Sequence, residues 1–114
     1  MEEHLKKSEK EVKDIFYEMS EQIKAFDSEI EENVKKQFVA YKTPSINFVW
    51  FHFQKNKLVI HFRIKKHLDD PKDIAKIIPE KYQWGKNLKE IKVSSSKEID
   101  YAIKLIRQAY EASL

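Results

Sequence analysis

A sheet surface that interleaves aromatic rings with cations can hold single-stranded nucleic acid, because rings stack on unpaired bases while Arg and Lys neutralise phosphates. Residues 46–54 and 57–65 present such a set if they pair as a hairpin. Phe48, Trp50, His61 and Arg63 then share a face, with Lys57 and Lys65 at its edges. The same residues also fit a sheet covered on both faces, in which Phe48 and Trp50 are core beneath an N-terminal helix. The glycine–aromatic signature of RNA-recognition motifs is absent.

Three further groups could carry chemistry. His52 and His61 fall on the same hairpin face, offset diagonally by roughly 7–8 Å at the backbone, but neither strand supplies an acidic third ligand, so no metal site is expected. Asp69 or Asp70 followed by Glu90-Ile91-Lys92 matches the loose skeleton of restriction-type nucleases, where two acids hold a divalent ion and a lysine positions the attacking water. Glu11-Val12-Lys13 and Asp70-Pro71-Lys72 fit the same tripeptide, so the pattern discriminates poorly and no catalytic residue is assigned. Trp84 adjoins the chain's single glycine, Gly85. It reads either as a plug for one end of the core or, with Asp70 and Tyr101, as a wall of a small-ligand or peptide pocket.

Composition narrows the classes available to these residues. The chain has 114 residues, enough for one domain spanning 1–114 with a modest core of its own. Charged residues make up 36%, yet 41% hydrophobic and 12% aromatic content is too high for a disordered chain. Without cysteine there is no disulfide framework, thiol chemistry or cysteine-ligated metal. One glycine rules out phosphate-binding and dinucleotide-binding loops, which need several, and no cofactor is expected. The start, Met1-Glu2-Glu3-His4, is acidic where a secretory signal is basic and then apolar, and no apolar run is long enough to span a bilayer. A soluble, cytoplasmic protein is the expectation. The net charge of +3 conceals an uneven distribution: residues 1–36 carry 11 acidic and 7 basic side chains, whereas residues 37–92 carry 12 basic and 5 acidic. A basic middle suits an anionic partner, although lysine is also the ordinary surface cation.

The elements that must position these residues follow from periodicity. Val12, Ile15, Phe16, Met19, Ile23, Phe26 and Ile30 recur at three- and four-residue steps, which predicts a long N-terminal helix opened by a Ser8–Glu11 capping box. That stripe could face a sheet or serve as a homodimer seam, though it spans fewer heptads than a coiled coil needs. Ser28 with Glu31 suggests a short second helix to about Lys35. From Gln37 the period becomes two, with a turn at Thr43-Pro44-Ser45. A two- or four-residue loop at Lys55-Asn56 would pair Phe53 with Leu58, Phe51 with Ile60 and Val49 with Phe62; a three-residue loop would exchange the faces. Asp70 and Pro71 suit the N-cap and first position of a short helix through Ile77. A strand around Lys89–Val93 and a helix capped by Ser95 and Glu98, with Ile99, Ala102, Ile103, Ile106, Ala109 and Tyr110 on one stripe, complete the chain.

With these motifs in place, the sequence resembles an uncharacterised bacterial and archaeal domain family of unknown function, whose members often carry the label "predicted transport protein". The resemblance rests on Tyr41-Lys42-Thr43, Asn47-Phe48, Gln54-Lys55-x-Lys57-Leu58, Asp69-Asp70-Pro71-Lys72, Trp84-Gly85 and Asp100-Tyr101-Ala102 leading to Leu105–Tyr110, and covers residues from about 8 to 112. Tyr82-Gln83 stands where the family usually has Gly-His before the tryptophan. The resemblance implies a domain that occurs alone or appended to restriction-endonuclease-like proteins, and it brings no established activity. A transport role fits poorly with a chain lacking any membrane segment.

The expected fold is therefore α+β: a long N-terminal helix, an antiparallel sheet of three or four strands, and a C-terminal helix packed on the sheet. The expected function is a non-catalytic binding module near nucleic acid, with Phe48, Trp50, His61, Arg63, Lys57 and Lys65 as contacts. The rival is a ligand pocket at Trp84, Asp70 and Tyr101. A metal-dependent nuclease ranks third.

Overall fold

The computed structural model describes residues 1–78 and 87–114. Helices α1 (Glu2–Lys6) and α2 (Lys10–Lys24) lead into strands β1 (Glu31–Val34), β2 (Val39–Lys42), β3 (Asn47–Phe53), β4 (Leu58–Arg63), β5 (Lys76–Ile77) and β6 (Leu88–Val93), and helix α3 (Ile99–Ala112) closes the chain. The strands form one antiparallel sheet in the order β1-β2-β3-β4-β6-β5. The class is the expected α+β, but the sheet has six strands rather than three or four and the first long helix is only 15 residues.

That helix is short because its ends are claimed by other elements. At its start the Ser8–Glu11 box does not form: Ser8 Oγ donates to Gln54 O at 2.6 Å and the Glu9 amide to Lys55 O at 2.9 Å. The β3–β4 turn thus anchors α2. At its end Asp27 Oδ1 accepts the Glu29 amide (2.9 Å) and Asp27 O accepts the Ile30 amide (3.2 Å), turning the chain into β1. The helix expected at 28–35 is that strand instead. Pairing Glu32 with Tyr41 and Asn33 with Ala40 outweighs a weak local helical preference.

One sheet face carries the main core. Val39, Tyr41, Val49, Phe51, Ile60, Phe62 and Ile91 meet Val12, Ile15, Phe16, Met19 and Ile23 of α2 and Ala102, Ile106 and Ala109 of α3. Rings lock edge to face there: Phe16 with Phe51 at 5.5 Å and Tyr41 with Phe51 at 5.8 Å between centroids. The stripe considered above as a dimer seam is thereby used up within the chain's own core. Beneath α2 a relay runs from the buried Ser20 Oγ to the buried Tyr41 Oη (2.7 Å) and out to Glu32 Oε2 (2.7 Å) on the exposed strand β1. Glu32 only accepts, so Tyr41 donates to it and Ser20 to Tyr41. Burial, above all, pushes the Tyr41 hydroxyl pKa well above its ordinary value, which keeps that donor in place.

The β3–β4 register agrees with the hairpin pairing: Phe53↔Leu58, Phe51↔Ile60 and Val49↔Phe62. The Ser95–Glu98 capping box is present, with Ser95 Oγ accepting the Lys97 amide and Glu98 Oε1 accepting the Ser94 and Ser95 amides, each of the latter at 3.0 Å. No helix forms after Asp70. Asp70-Pro71-Lys72-Asp73 is a turn closed by Asp73 N–H to Asp70 O at 2.9 Å, with Pro71 at its second position and Asp73 at φ 51°. Asp70 does cap backbone, but the backbone of this turn: its Oδ2 accepts the Ala75 amide at 2.9 Å. The chain then joins the sheet edge as β5. Among the described residues no helix is long and apolar enough to cross a membrane.

A candidate anion-binding end of the sheet

The second sheet face differs chemically from the first. Cross-strand partners place Ala40, Trp50, His61, Glu90 and Lys76 in one row across five strands. Ala40, Trp50 and Leu88 form a small buried cluster, with Phe38 and Ile78 packed against it. Arg63 lies over the Trp50 ring, 5.5 Å from its centroid. His52 and His61 sit ring to ring at 4.7 Å, and His61 Nε2 is 3.1 Å from Glu90 Oε2, a pairing in which the imidazole donates. Burial first, and the adjacent His61 second, push the His52 pKa down to about 4.

The expected aromatic surface is not assembled. Phe48 and Trp50 do not share a face: a break in the β2–β3 register lets Tyr41 pair with Val49 and Lys42 with Asn47, skipping Phe48. A bulge of this kind turns a side chain out of alternation. Phe48 goes under α3, fully buried, 5.5 Å from the Tyr110 ring. Trp50 stays on the second face but is only 4% exposed. Base stacking needs an open ring, so neither aromatic offers it in this conformation. Lys57 and Lys65 also separate, flanking opposite ends of β4 at a distance of about 25 Å along the strand.

Cations gather at the end of β4 instead. A cavity of about 160 Å³ is lined by Ile46, Asn47, Phe48, Arg63, Ile64, Lys65, Ala112 and Ser113. A second, more open one of about 320 Å³ is lined by Ile64, Lys65, Lys66, His67, Ile77, Asn87, Leu88 and Lys89. The two share Ile64 and Lys65, which makes them neighbours on one basic strip with no carboxylate among their described lining residues. Lys66, His67 and Lys89 were outside the set read from sequence. The Lys65-Lys66-His67 run was visible there, but only the antiparallel β4–β6 pairing brings Lys89 beside it.

The other candidate groups take structural partners. Tyr101 donates its hydroxyl to Asp70 Oδ1 and accepts the Lys72 amide at 2.9 Å. Burial raises the Asp70 pKa, but the Tyr101 hydroxyl, the Ala75 and Ile74 amides and the positive charge of Lys89 outweigh it and hold the carboxyl below its ordinary range. Gln108 clamps the Asp69 backbone on both sides at 2.9 Å. Asp70 and Tyr101 therefore staple the 69–75 loop to α3, and Trp84, the third member of that candidate pocket, lies with Gly85 outside the described residues. Glu90 and Lys92 sit 3.9 Å apart, half-exposed on β6. The nuclease skeleton is not drawn together, since Asp69 and Asp70 are engaged at α3 and no cluster of three or more His, Asp or Glu fit for a metal occurs among the described residues.

Two helices over one face of a six-stranded antiparallel sheet, with a basic strip at the sheet's end, define a small α+β domain. The chain belongs to the family described as "Domain of unknown function (DUF5655)", whose profile matches residues 1–113. An uncharacterized protein of Haemophilus influenzae is 29% identical over 108 residues, a match covering 94% of this chain and 35% of that protein. The chain thus spans about a third of the length of the curated relative it matches. Neither description carries a transport label or a link to restriction-type proteins. No solved structure matches the chain.

Proposed function

We propose that this domain is a non-catalytic binding module for a nucleic-acid strand, which it holds by the phosphates along the basic strip at the end of β4. One observation carries the reading: the two cavities that meet at Ile64 and Lys65 are rimmed by Arg63, Lys65, Lys66 and Lys89, with no described carboxylate between them. Closely spaced cations repel one another at some cost to the folded state, and a polyanion relieves that repulsion while releasing its own counterions. Recognition shifts from ring stacking to charge. Trp50 then acts indirectly, as the flat support that holds the Arg63 guanidinium. Supplying affinity rather than chemistry would suit a unit appended to a DNA-processing protein, the setting that the family resemblance implies.

The test is fluorescence anisotropy with a labelled single-stranded oligonucleotide at several salt concentrations. Affinity is expected to fall steeply as salt rises, by about 0.7 in log–log slope per phosphate contacted. Replacing Lys65, Lys66 and Lys89 together by Gln is expected to flatten the slope by about 2, whereas Lys57→Gln, at the far end of β4, leaves it unchanged. Absence of binding at low salt sinks the proposal.

A further inference from the structure

The smaller of the two cavities is chemically unlike the strip it adjoins. Asn47 Oδ1 and Arg63 Nε, which both belong to its lining residues, are buried without a hydrogen-bond partner among the described residues. Buried polar atoms are nearly always satisfied, so two orphans at one cavity mark groups awaiting a partner. The two are complementary, because Arg63 only donates whereas the Asn47 amide can accept or donate according to how it is turned. Ile46, Phe48 and Ile64 supply apolar wall, and about 160 Å³ is room for about five waters or one small flat ring.

The orphaned acceptor argues against a phosphate inside, because Asn47 Oδ1 calls for a donor and a phosphate has none. Ala112 and Ser113, at the carboxyl end of α3, form part of the lining, and α3 has no basic residue in its last turn to offset the partial negative charge of that helix end. A neutral group that offers a hydrogen-bond donor beside an acceptor suits such a wall better than an anion. In a nucleic-acid strand that group is a base.

We infer that the cavity between Asn47 and Arg63 receives one unstacked nucleobase of a single strand whose neighbouring phosphates lie on Lys65, Lys66 and Lys89. The inference rests on the phosphate-binding reading above and adds the element that reading lacks, a reason to prefer a base-bearing single strand over any other polyanion. Arg63 donates to a carbonyl on the base edge, Asn47 Oδ1 accepts the adjacent ring N–H, and Trp50 supports the guanidinium. Single-stranded recognition elsewhere works in this way, with splayed bases bonded along their edges.

The experiment compares a labelled oligothymidylate with an abasic phosphodiester oligomer of equal length, by anisotropy at one low salt concentration. The protein is expected to bind the base-bearing strand about tenfold more tightly, the value of roughly one good edge contact. Asn47→Ala is expected to remove that preference by weakening only the thymidylate complex, with the salt slope unchanged. Since Asn47 lies beside the Phe48 bulge, the unaltered protein gives a second readout: the Asn47 side-chain amide resonances should shift with oligothymidylate and not with the abasic strand. Equal affinity for both strands with a normal salt slope overturns the base-binding inference and leaves the phosphate reading standing. If neither strand binds at low salt, both fall.

Discussion

The two faces of this sheet are built from the same strands yet obey different physics. On the helix-covered face nearly every side chain is apolar, and specificity comes from shape, with Phe16, Phe51 and Tyr41 meeting edge to face. On the other face a small apolar patch of Ala40, Trp50 and Leu88 adjoins titratable and charged groups: His52, His61, Glu90 and Arg63. The first face stabilises the fold almost independently of pH and salt. The second holds polar groups at partial burial, where solvation costs and neighbouring charges decide the balance. A domain with one face for stability has a second on which to keep groups that respond to what surrounds it.

Truncating the first face should have the largest effect. Phe51→Ala removes a fully buried ring from the centre of the sheet and is expected to cost about 3–5 kcal/mol, read as a shift in the urea midpoint. Phe48→Ala should cost a similar amount, because Phe48 belongs to the same core despite neighbouring Trp50's strand face in sequence. A loss below about 1 kcal/mol for Phe48→Ala would show that the bulge does not place the ring beneath Tyr110.

His52 separates the faces by pH. Its folded pKa of about 4 lies below the ordinary 6.5, so between those values the unfolded chain binds a proton that the folded one refuses. Stability is therefore complete above pH 6.5, falls as the pH drops towards 4, and loses up to about 3 kcal/mol over that window. The lowered carboxyls of Asp27 and Asp70 act below their ordinary 3.8 and so leave this window to His52. In His52→Gln the urea midpoint should become nearly flat between pH 6.5 and 4, whereas in Phe51→Ala the slope should persist on a lowered baseline. An undiminished slope in His52→Gln would assign the titration to another group.

The relay beneath α2 is a polar feature within the apolar face. Tyr41→Phe deletes the hydroxyl between Ser20 and Glu32 and leaves Ser20 buried with one partner fewer. The expected cost is about 1–2 kcal/mol. Ser20→Ala in the Tyr41→Phe background should restore part of it, since no buried hydroxyl then remains unpaired. Thermal denaturation of the two single variants and the double variant closes that cycle.

What could be read from the sequence divides along the same line. The β3–β4 hairpin and α3 with its Ser95–Glu98 cap were legible because strict alternation, helical spacing and a capping box are all local signals. Strand β1 was not: Glu31-Glu32-Asn33-Val34 is a polar edge strand, and only pairing with β2 makes it one. The bulge at Phe48 escaped because alternation assumes a regular pleat, and that one irregularity moved an expected surface aromatic into the core. The His61–Glu90 pair and the Lys65–Lys89 neighbourhood depend on β6, and not β5, being the strand that pairs with β4, a choice of topology that no local pattern encodes.

The smallest expected effect on stability is the sharpest comparison between regions. Lys65 and Lys66 are exposed, Lys89 is half-buried, and none of the three forms an ion pair with a described residue. If their charge serves a partner, replacing all three by Gln should change the urea midpoint by no more than about 0.5 kcal/mol, and relief of mutual repulsion would make the change favourable at low salt. The contrast with Phe51→Ala is one of kind. A core substitution lowers stability at every salt concentration, whereas the lysine triple should separate from the wild type only as salt is withdrawn. A loss of more than about 1 kcal/mol, independent of salt, would mean that the aliphatic stems of these lysines cover the Ile64–Leu88 end of the core. The basic strip would then belong to the fold's own packing, with no cations to spare for a phosphate.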